Sequence, residues 1–241
     1  IDPKTFNIDP DLIEEKITAK TKAILPVHLF GLPADMRKIL KIAKKHNLFV
    51  LEDAAQAHGA KISNQAVGSF GDLAAFSFYP TKNMTTGEGG IVTTNSKTLA
   101  RKLKMLRSHG MERRYYHEFL GFNFRMSNIH AAVGIHQFKR INGFNKKRIE
   151  NARFLTEHLQ DVDGIQTPFI PSGFTHVFHQ YTILVKDGEE KREKLAEYLN
   201  QNEVGTMIYY PIPVHKQKFM RKEYRKIQLK NAEQTADCVL S

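Results

Sequence analysis

Strand and helix signals alternate along the first half of the chain, and this alternation restricts the possible folds more than any other feature. Short, mainly apolar strands are predicted at residues 22–27, 48–51, 73–78 and 90–94. Asp35 is the predicted N-cap of a helix that ends before Asn47, and a second helix is predicted over residues 96–106. Strands that alternate with helices through short connections predict an α/β fold with a doubly wound, mostly parallel sheet, in which the 48–51 strand is buried.

Long helices are predicted after the sheet. Ser127 is the expected N-cap of the first of them. Gly143 is expected to break or bend the helix before a second helical stretch at residues 145–159. These helices predict a connection between two structural units.

A change of pattern near the end of the chain predicts a smaller unit. A strand candidate at residues 181–185 is followed by a charged helix at residues 189–200, which is typical of an α+β arrangement. We therefore expect a large domain over residues 1–143. Residues 144–241 are expected to form a long connecting helix and a small C-terminal domain.

Composition restricts the class of protein. The chain has 36 basic and 25 acidic residues, and its net charge of +11 favours an anionic partner such as nucleic acid, a phosphorylated cofactor or a nucleotide sugar. No zinc-finger spacing is present, and no metal site is expected. The sequence also has no apolar run long enough to span a bilayer and no secretory pattern. The single cysteine, Cys238, excludes a disulfide framework and fits a reducing compartment. A soluble, cytoplasmic protein is the expectation.

Polar residues follow the ends of two predicted strands. Asp53 comes after the 48–51 strand, Ser77 lies near the end of the 73–78 strand, and Lys82 lies in the glycine-rich loop that follows. Each of the three has an ordinary explanation when it is taken alone, as a turn residue or a surface lysine. Their combination is less common, because ligands bind beyond the carboxyl ends of strands in open α/β sheets.

These three groups match the needs of an enzyme that uses pyridoxal 5′-phosphate (PLP). A lysine amine can form a Schiff base with the cofactor aldehyde, and an acid can pair with the pyridinium nitrogen. A hydroxyl can hold the phosphate. The acid keeps the ring nitrogen protonated, which lets the ring accept electrons from a substrate carbanion.

Five segments carry a resemblance to a known family. They are Glu-Asp-Ala-Ala-Gln-Ala (52–57), Phe-Ser-Phe-Tyr-Pro-Thr-Lys-Asn (76–83), Thr-Gly-Glu-Gly-Gly (86–90), Gly-Phe-Asn-Phe-Arg-Met-Ser-Asn (121–128) and Tyr-Pro-Ile-Pro-Val-His (210–215). Together they resemble the DegT/DnrJ/EryC1/StrS sugar aminotransferases, in order and over nearly the whole chain. The resemblance implies the aspartate-aminotransferase-like fold (type I) of PLP-dependent transferases and a homodimer with shared active sites.

The resemblance also implies roles for particular residues. Lys82 would carry the cofactor and act as the catalytic acid and base, while Asp53 would pair with the pyridine nitrogen. Gln56 would lie near the phenolic oxygen of the ring, and Ser77 would bind the phosphate. Asn123 would reach across the dimer to the cofactor phosphate of the partner.

Three further motif residues, Arg125, His58 and His215, receive no firm role. For His58 a structural hydrogen bond is expected as readily as catalysis. The chain also departs from the family pattern, because it begins with Ile1 and ends at Ser241 after a predicted helix with no closing element. We expect part of a longer enzyme, without the upstream phosphate turn and the stacking aromatic, that binds PLP weakly or not at all in this form.

The resemblance implies amino transfer, with glutamate as the donor, to a nucleotide-linked keto-sugar in amino-sugar and surface-polysaccharide biosynthesis. A lysine at position 82 favours transamination over dehydration, since the dehydrating relatives have histidine there. The 121–128 segment is closer to the perosamine-synthase-like branch, which favours a 4-keto-6-deoxy sugar over a 3-keto sugar. An inactive regulatory or nucleic-acid-binding protein, and a PLP enzyme for free amino acids, remain alternatives.

Overall fold

The computed structural model describes residues 1–241. Ten strands are present: β1 (Ala23–Ile24), β2 (Phe49–Asp53), β3 (Lys61–Ile62), β4 (Gln65–Ala66), β5 (Leu73–Ser77), β6 (Gly90–Thr93), β7 (Ile165–Gln166), β8 (Phe174–Thr175), β9 (Ile183–Val185) and β10 (Val239–Leu240). The helices are α1 (Met36–Lys45), α2 (Lys97–Leu106), α3 (Asn128–Leu159), α4 (Glu189–Gln201), α5 (Lys222–Arg225) and α6 (Lys230–Cys238).

The central sheet has four strands in the order β1–β2–β5–β6. Strands β1, β2 and β5 are parallel, and β6 runs antiparallel to β5 at the edge. The mostly parallel sheet predicted from the sequence is therefore present. The first strand is shorter than predicted, since only Ala23 and Ile24 pair regularly, with one further parallel bridge from Val27 to Asp53.

Helix α1 covers one face of this sheet. The Asp35 side chain caps the helix by accepting a hydrogen bond from the backbone N–H of Lys38 at 3.2 Å, as predicted. The apolar side of α1, represented by Ile39, packs with Val50 of β2 in the main core cluster. The core therefore lies between α1 and the face of the sheet that carries Val50 and Glu52 of β2.

The opposite face of the sheet is largely uncovered, so the prediction of a buried 48–51 strand is wrong for one side. Phe49 is 65% exposed, whereas Val50 is 2% exposed. Successive side chains of a strand point to opposite faces, so Phe49 lies on the face opposite to Val50 and the core under α1.

Helix α3 runs for 32 residues without interruption, so the break expected at Gly143 is wrong. Ser127 caps the helix by accepting the N–H of His130 at 3.3 Å, as predicted. Glycine inside a helix costs about 1 kcal/mol relative to alanine, which the packing around it can offset. Ile141 and Asn145, on either side of Gly143, are both buried and supply that packing.

The first three turns of α3 expose apolar side chains, although Gly134 on another side of the helix packs against Thr86. Four apolar side chains there are exposed to 78%, 43%, 60% and 70%: Ile129, Val133, Ile135 and Phe138. A helix that is apolar on several sides is normally covered. We call this stretch the apolar arm.

A second, three-stranded antiparallel sheet lies near the C-terminus, in the order β10–β9–β7, with α4 and α6 against it. The final strand β10 pairs antiparallel with β9, and the expectation that the chain is part of a longer enzyme remains a prediction. The predicted α+β unit is present, while the division between residues 143 and 144 remains a prediction. No helix is both long enough and apolar enough to cross a membrane.

Candidate active site

Lys82 lies in the loop between β5 and β6, and local hydrogen bonds hold this loop. The Lys82 N–H donates to the carbonyl of Tyr79 at 3.0 Å, and the Thr86 N–H donates to the carbonyl of Phe78 at 3.0 Å. The next residue, Asn83, is 3% exposed. These contacts set the direction in which the Lys82 side chain leaves the backbone.

The Lys82 side chain lines a hollow of about 700 Å³, which we call the lysine hollow. Gln56, His179 and several tyrosines, including Tyr181 and Tyr210, also line it. Burial lowers the pKa of the Lys82 ammonium, and the negative charge of Asp53 opposes that shift. A lysine with a lowered pKa releases a proton more readily than a surface lysine, which suits a nucleophile or a base.

Gln56 presents its amide nitrogen to the hollow. Its Oε1 accepts the backbone N–H of Phe30 at 2.6 Å, which fixes the orientation of the amide. Nε2 therefore points the other way and donates to the hydroxyl of Tyr210 at 3.3 Å. The side chain can thus donate a hydrogen bond to a ligand in the lysine hollow.

Asp53 and Ser77 lie together at the carboxyl ends of the adjacent strands β2 and β5. They line a separate hollow of about 390 Å³. Asp53 Oδ1 accepts the N–H of Ala55 at 3.1 Å, and Ser77 Oγ accepts the N–H of Tyr79 at 3.3 Å. The structure brings both residues to the edge of the sheet that carries Lys82, but not into the same hollow.

Glu52 organises the loops beneath the site, and sequence reasoning gave it no role. This fully buried carboxylate accepts the N–H groups of Gly68, Phe70 and Gly71 at 2.7–2.9 Å. It also bonds His28 Nε2 at 3.0 Å, and these contacts lower the pKa of Glu52 although burial raises it. The position of Glu52 directly after the apolar run 48–51 was the signal in the sequence, because a buried charge requires partners.

His58 lies beside the rings of Phe76 and Phe78, with ring centroids 5.4 Å and 5.9 Å away. Neither ring nitrogen meets the geometry of a hydrogen bond, and the Ser77 backbone is the polar group that acts on the ring. Burial lowers the pKa of His58 to about 4, an effect that the neighbouring Ser77 backbone opposes and the charge of Lys82 reinforces.

Three motif residues lie outside both hollows. Asn123 is exposed, and its Oδ1 accepts a hydrogen bond from Arg125 Nε at 3.1 Å. His215 bonds Glu233 at 2.9 Å and belongs to a C-terminal cluster. The role expected for Asn123 in the site of a partner remains a prediction.

Comparison with known proteins identifies relatives along the whole chain. The sequence profile of the DegT/DnrJ/EryC1/StrS aminotransferase family matches residues 1–241. The chain is 44% identical over 245 residues to the pleiotropic regulatory protein of Geobacillus stearothermophilus, covering 100% of the chain and 65% of the relative. It is also 44% identical to the UDP-N-acetyl-3-dehydro-alpha-D-glucosamine 3-aminotransferase of Acidithiobacillus ferrooxidans, with coverages of 95% and 61%. GDP-perosamine synthase of Caulobacter vibrioides is 44% identical, with coverages of 78% and 51%.

Solved structures show the same fold. DesV of S. venezuelae in complex with a ketimine intermediate superimposes with a TM-score of 0.92 at 36% identity, covering 99% of this chain and 64% of that one. The ntda protein of Bacillus subtilis with bound cofactor PMP gives a TM-score of 0.90 at 36% identity, with coverages of 100% and 56%. The predicted fold of PLP-dependent transferases is confirmed. The chain spans less than two thirds of the length of each of these proteins.

Proposed function

Because the chain belongs to the DegT/DnrJ/EryC1/StrS aminotransferase family, we propose that the protein is a PLP-dependent aminotransferase. It transfers an amino group from glutamate to a nucleotide-linked keto-sugar, for amino-sugar and surface-polysaccharide biosynthesis in the cytoplasm. The observation that carries the proposal is Lys82, a half-buried amine with a lowered pKa, beside the oriented amide of Gln56.

The residues present fit the cofactor. When bound, pyridoxal 5′-phosphate supplies a carbonyl that condenses with amines and a ring that accepts electrons from the substrate carbon. Lys82 Nζ provides the amine that holds it and, once released, takes and returns a proton. Gln56 Nε2 is a donor, as the phenolic oxygen of the ring requires.

Asp53 and Ser77 supply the remaining contacts in this proposal from their separate hollow, which lies close enough for the charge of Asp53 to act on Lys82. One carboxylate oxygen of Asp53 accepts a backbone N–H, which leaves Oδ2 for the protonated ring nitrogen. The Ser77 hydroxyl, at the end of the neighbouring strand, binds the phosphate. Their hollow opens on the uncovered face of the central sheet, beside Leu25, Leu51 and the strand-end backbone.

A homodimer with shared active sites forms part of the proposal. The apolar arm exposes Ile129 and Phe138, and the preceding segment exposes Leu120 to 82% and Phe124 to 72%. Asn123 lies within this exposed apolar surface, and in this proposal it reaches the site of the second copy that covers the surface. Exposed apolar patches of this kind typically mark protein interfaces.

The position of the amino group on the sugar separates two candidates. We propose a 4-keto-6-deoxy sugar, because the 121–128 segment is closer to the perosamine-synthase-like branch, and two similar proteins are named GDP-perosamine synthase. The similarity to a named 3-aminotransferase favours a 3-keto sugar as the alternative. A regulatory protein is a further alternative, favoured by the name of the Geobacillus stearothermophilus relative. Such a protein has no need of Lys82, Asp53 and Gln56 together.

Replacement of Lys82 tests the proposal. The full-length protein is expected to show a visible absorbance band with PLP that borohydride bleaches, with the reduced label on Lys82. Lys82→Ala should lose the label and at least ~10²-fold of the amination rate, because a positioned acid and base contributes that much or more. Lys41→Ala, which changes an exposed lysine of α1, serves as the control.

A panel of 4-keto and 3-keto nucleotide sugars with glutamate then assigns the substrate. Full-rate amination by the Lys82→Ala protein would contradict the mechanism. Salt-dependent nucleic-acid binding without any bleachable band would favour the regulatory alternative.

A further inference from the structure

His179 lines the lysine hollow, but no part of the proposed mechanism uses it. The residue is 9% exposed. Its Nδ1 lies 3.2 Å from Asn83 Oδ1, and its Nε2 has no hydrogen-bond partner in the protein. The ring is therefore anchored at one nitrogen and free at the other.

Two buried asparagines, Asn83 and Asn145, determine which atom donates and which accepts in the hydrogen bond to His179. Asn145 Nδ2 lies 2.7 Å from the carbonyl of His58, which can only accept, so Asn145 Oδ1 faces the other way. Asn83 Nδ2 then donates to Asn145 Oδ1 at 2.9 Å and to the carbonyl of Val177 at 3.1 Å. Rotating either amide by half a turn would place two oxygens against each other. Asn83 Oδ1 is left facing His179.

The proton of His179 is fixed as a result. Asn83 Oδ1 can only accept, so Nδ1 of the ring carries the hydrogen. Burial and the positive charges of Lys82 and Arg148 lower the pKa of His179 to about 3, so the ring is neutral near pH 7. A neutral imidazole has one N–H, which makes Nε2 an acceptor.

In two other buried histidines Nδ1 accepts a hydrogen bond instead of donating one. His28 Nδ1 accepts the N–H of Ala34, and His176 Nδ1 accepts the N–H of Phe178, both at 3.0 Å. In these rings Nδ1 is occupied as an acceptor by a backbone N–H group. His179 differs because its acceptor nitrogen remains available beside Lys82.

We propose that His179 Nε2 is a fixed acceptor that receives a hydrogen bond from a hydroxyl group of the sugar bound in the lysine hollow. Asn83 and Asn145 are positioning residues that act through it. The proposal rests on the proposed function. A neutral acceptor repels carboxylate and carbonyl oxygens, so His179 selects the hydroxyl-rich sugar over the carboxylates of the amino donor.

Nitrogen NMR tests the tautomer without any turnover. Long-range ¹H–¹⁵N spectra of the histidine-labelled, cofactor-free full-length protein should show His179 neutral at pH 7, with Nδ1 protonated and Nε2 unprotonated. The His179→Asn spectrum assigns the signal by its loss. A hydrogen on Nε2, or a ring that carries both protons at pH 7, would overturn the proposal whatever the activity.

Two variants of His179 separate the acceptor role from a structural one. His179→Asn can retain a donor toward Asn83 but has no atom at the position of Nε2. His179→Gln reaches the Nε2 position with an amide oxygen but loses the donor at Nδ1. Calorimetric binding of a nucleoside-diphosphate 4-keto-6-deoxy sugar to the PLP-loaded protein compares them.

We expect His179→Asn to weaken sugar binding about tenfold, the effect of one lost hydrogen bond, and His179→Gln to stay within about threefold of the wild type. The amino-donor KM should change little in either variant. The reverse order, or no binding of the sugar by the wild type, would contradict the role of His179. A wild type that binds the sugar but does not aminate it would instead contradict the proposed function.

Discussion

Gly59→Ala tests the contact between the buried residues Asn83 and Asn145 by adding a single methyl group beside it. Gly59 has a φ of +84°, and a Cβ built there lies 2.8 Å from Asn145 Nδ2. That nitrogen donates to the carbonyl of His58 at 2.7 Å. The new methyl group must therefore displace the amide that supports Asn83, the residue next to Lys82.

Two effects contribute to the expected loss of stability. A left-handed backbone costs a residue with a Cβ about 1–2 kcal/mol. Displacing Asn145 leaves the His58 carbonyl without its partner, which costs about 1–3 kcal/mol for a buried group. We therefore expect Gly59→Ala to lower the free energy of unfolding by about 2–5 kcal/mol.

Gly164→Ala is the matched control, because Gly164 has a φ of +81° and nothing lies within 4 Å of its added Cβ. It should lose only the backbone contribution, about 1–2 kcal/mol. Urea unfolding of both full-length variants, followed by circular dichroism, gives the difference from the midpoints and slopes. Equal losses in the two variants would refute the argument that Gly59 is required to admit Asn145.

Two further predictions concern other regions. Glu52→Gln should lower the free energy of unfolding at pH 7 by about 1.5–3 kcal/mol, the contribution of a hydrogen bond to a charged group, whereas Glu157→Gln on the exposed side of α3 should change it little. Contacts lower the pKa of Glu52 in the fold, so its extra stability is present above the unfolded pKa near 4.5 and is lost as the pH falls through the lower folded value. A difference between wild type and Glu52→Gln that grows on acidification would contradict this. Ile129→Glu in the apolar arm should dissociate the proposed dimer in sedimentation analysis, whereas Tyr198→Glu, at a side chain 62% exposed on α4, should not. Identical masses for the two variants would show that the apolar arm is not part of a dimer interface.

Much of the local structure follows from neighbouring residues alone. The caps at Asp35 and Ser127 were predictable because a side chain reaches the N–H groups of its own first helical turn. The strand-end positions of Asp53 and Ser77 followed from the limits of short apolar runs. Errors arose where packing decides, as at Gly143 inside α3 and at the exposed Phe49.

The candidate site divides in the same way. Lys82, Asp53 and Ser77 stand out in the sequence because their residue types and order suit one chemistry, and the family resemblance adds Gln56. The surroundings of Lys82 could not be predicted, since His179 meets Asn83 across 96 residues and Asn83 meets Asn145 across 62. No local pattern encodes such pairings.

The sequence by itself determined the main strands and helices of the large sheet and which family the chain resembles, and it predicted which residues bind a cofactor, because these depend on residue type and short-range spacing. Only the tertiary structure decided how those residues are used. It placed Lys82 where burial lowers its pKa, turned the Gln56 nitrogen toward the same hollow, and left one nitrogen of His179 as an acceptor. The direction of a hydrogen bond and the desolvation of a charge are set by groups far apart in the chain, which meet only when it folds.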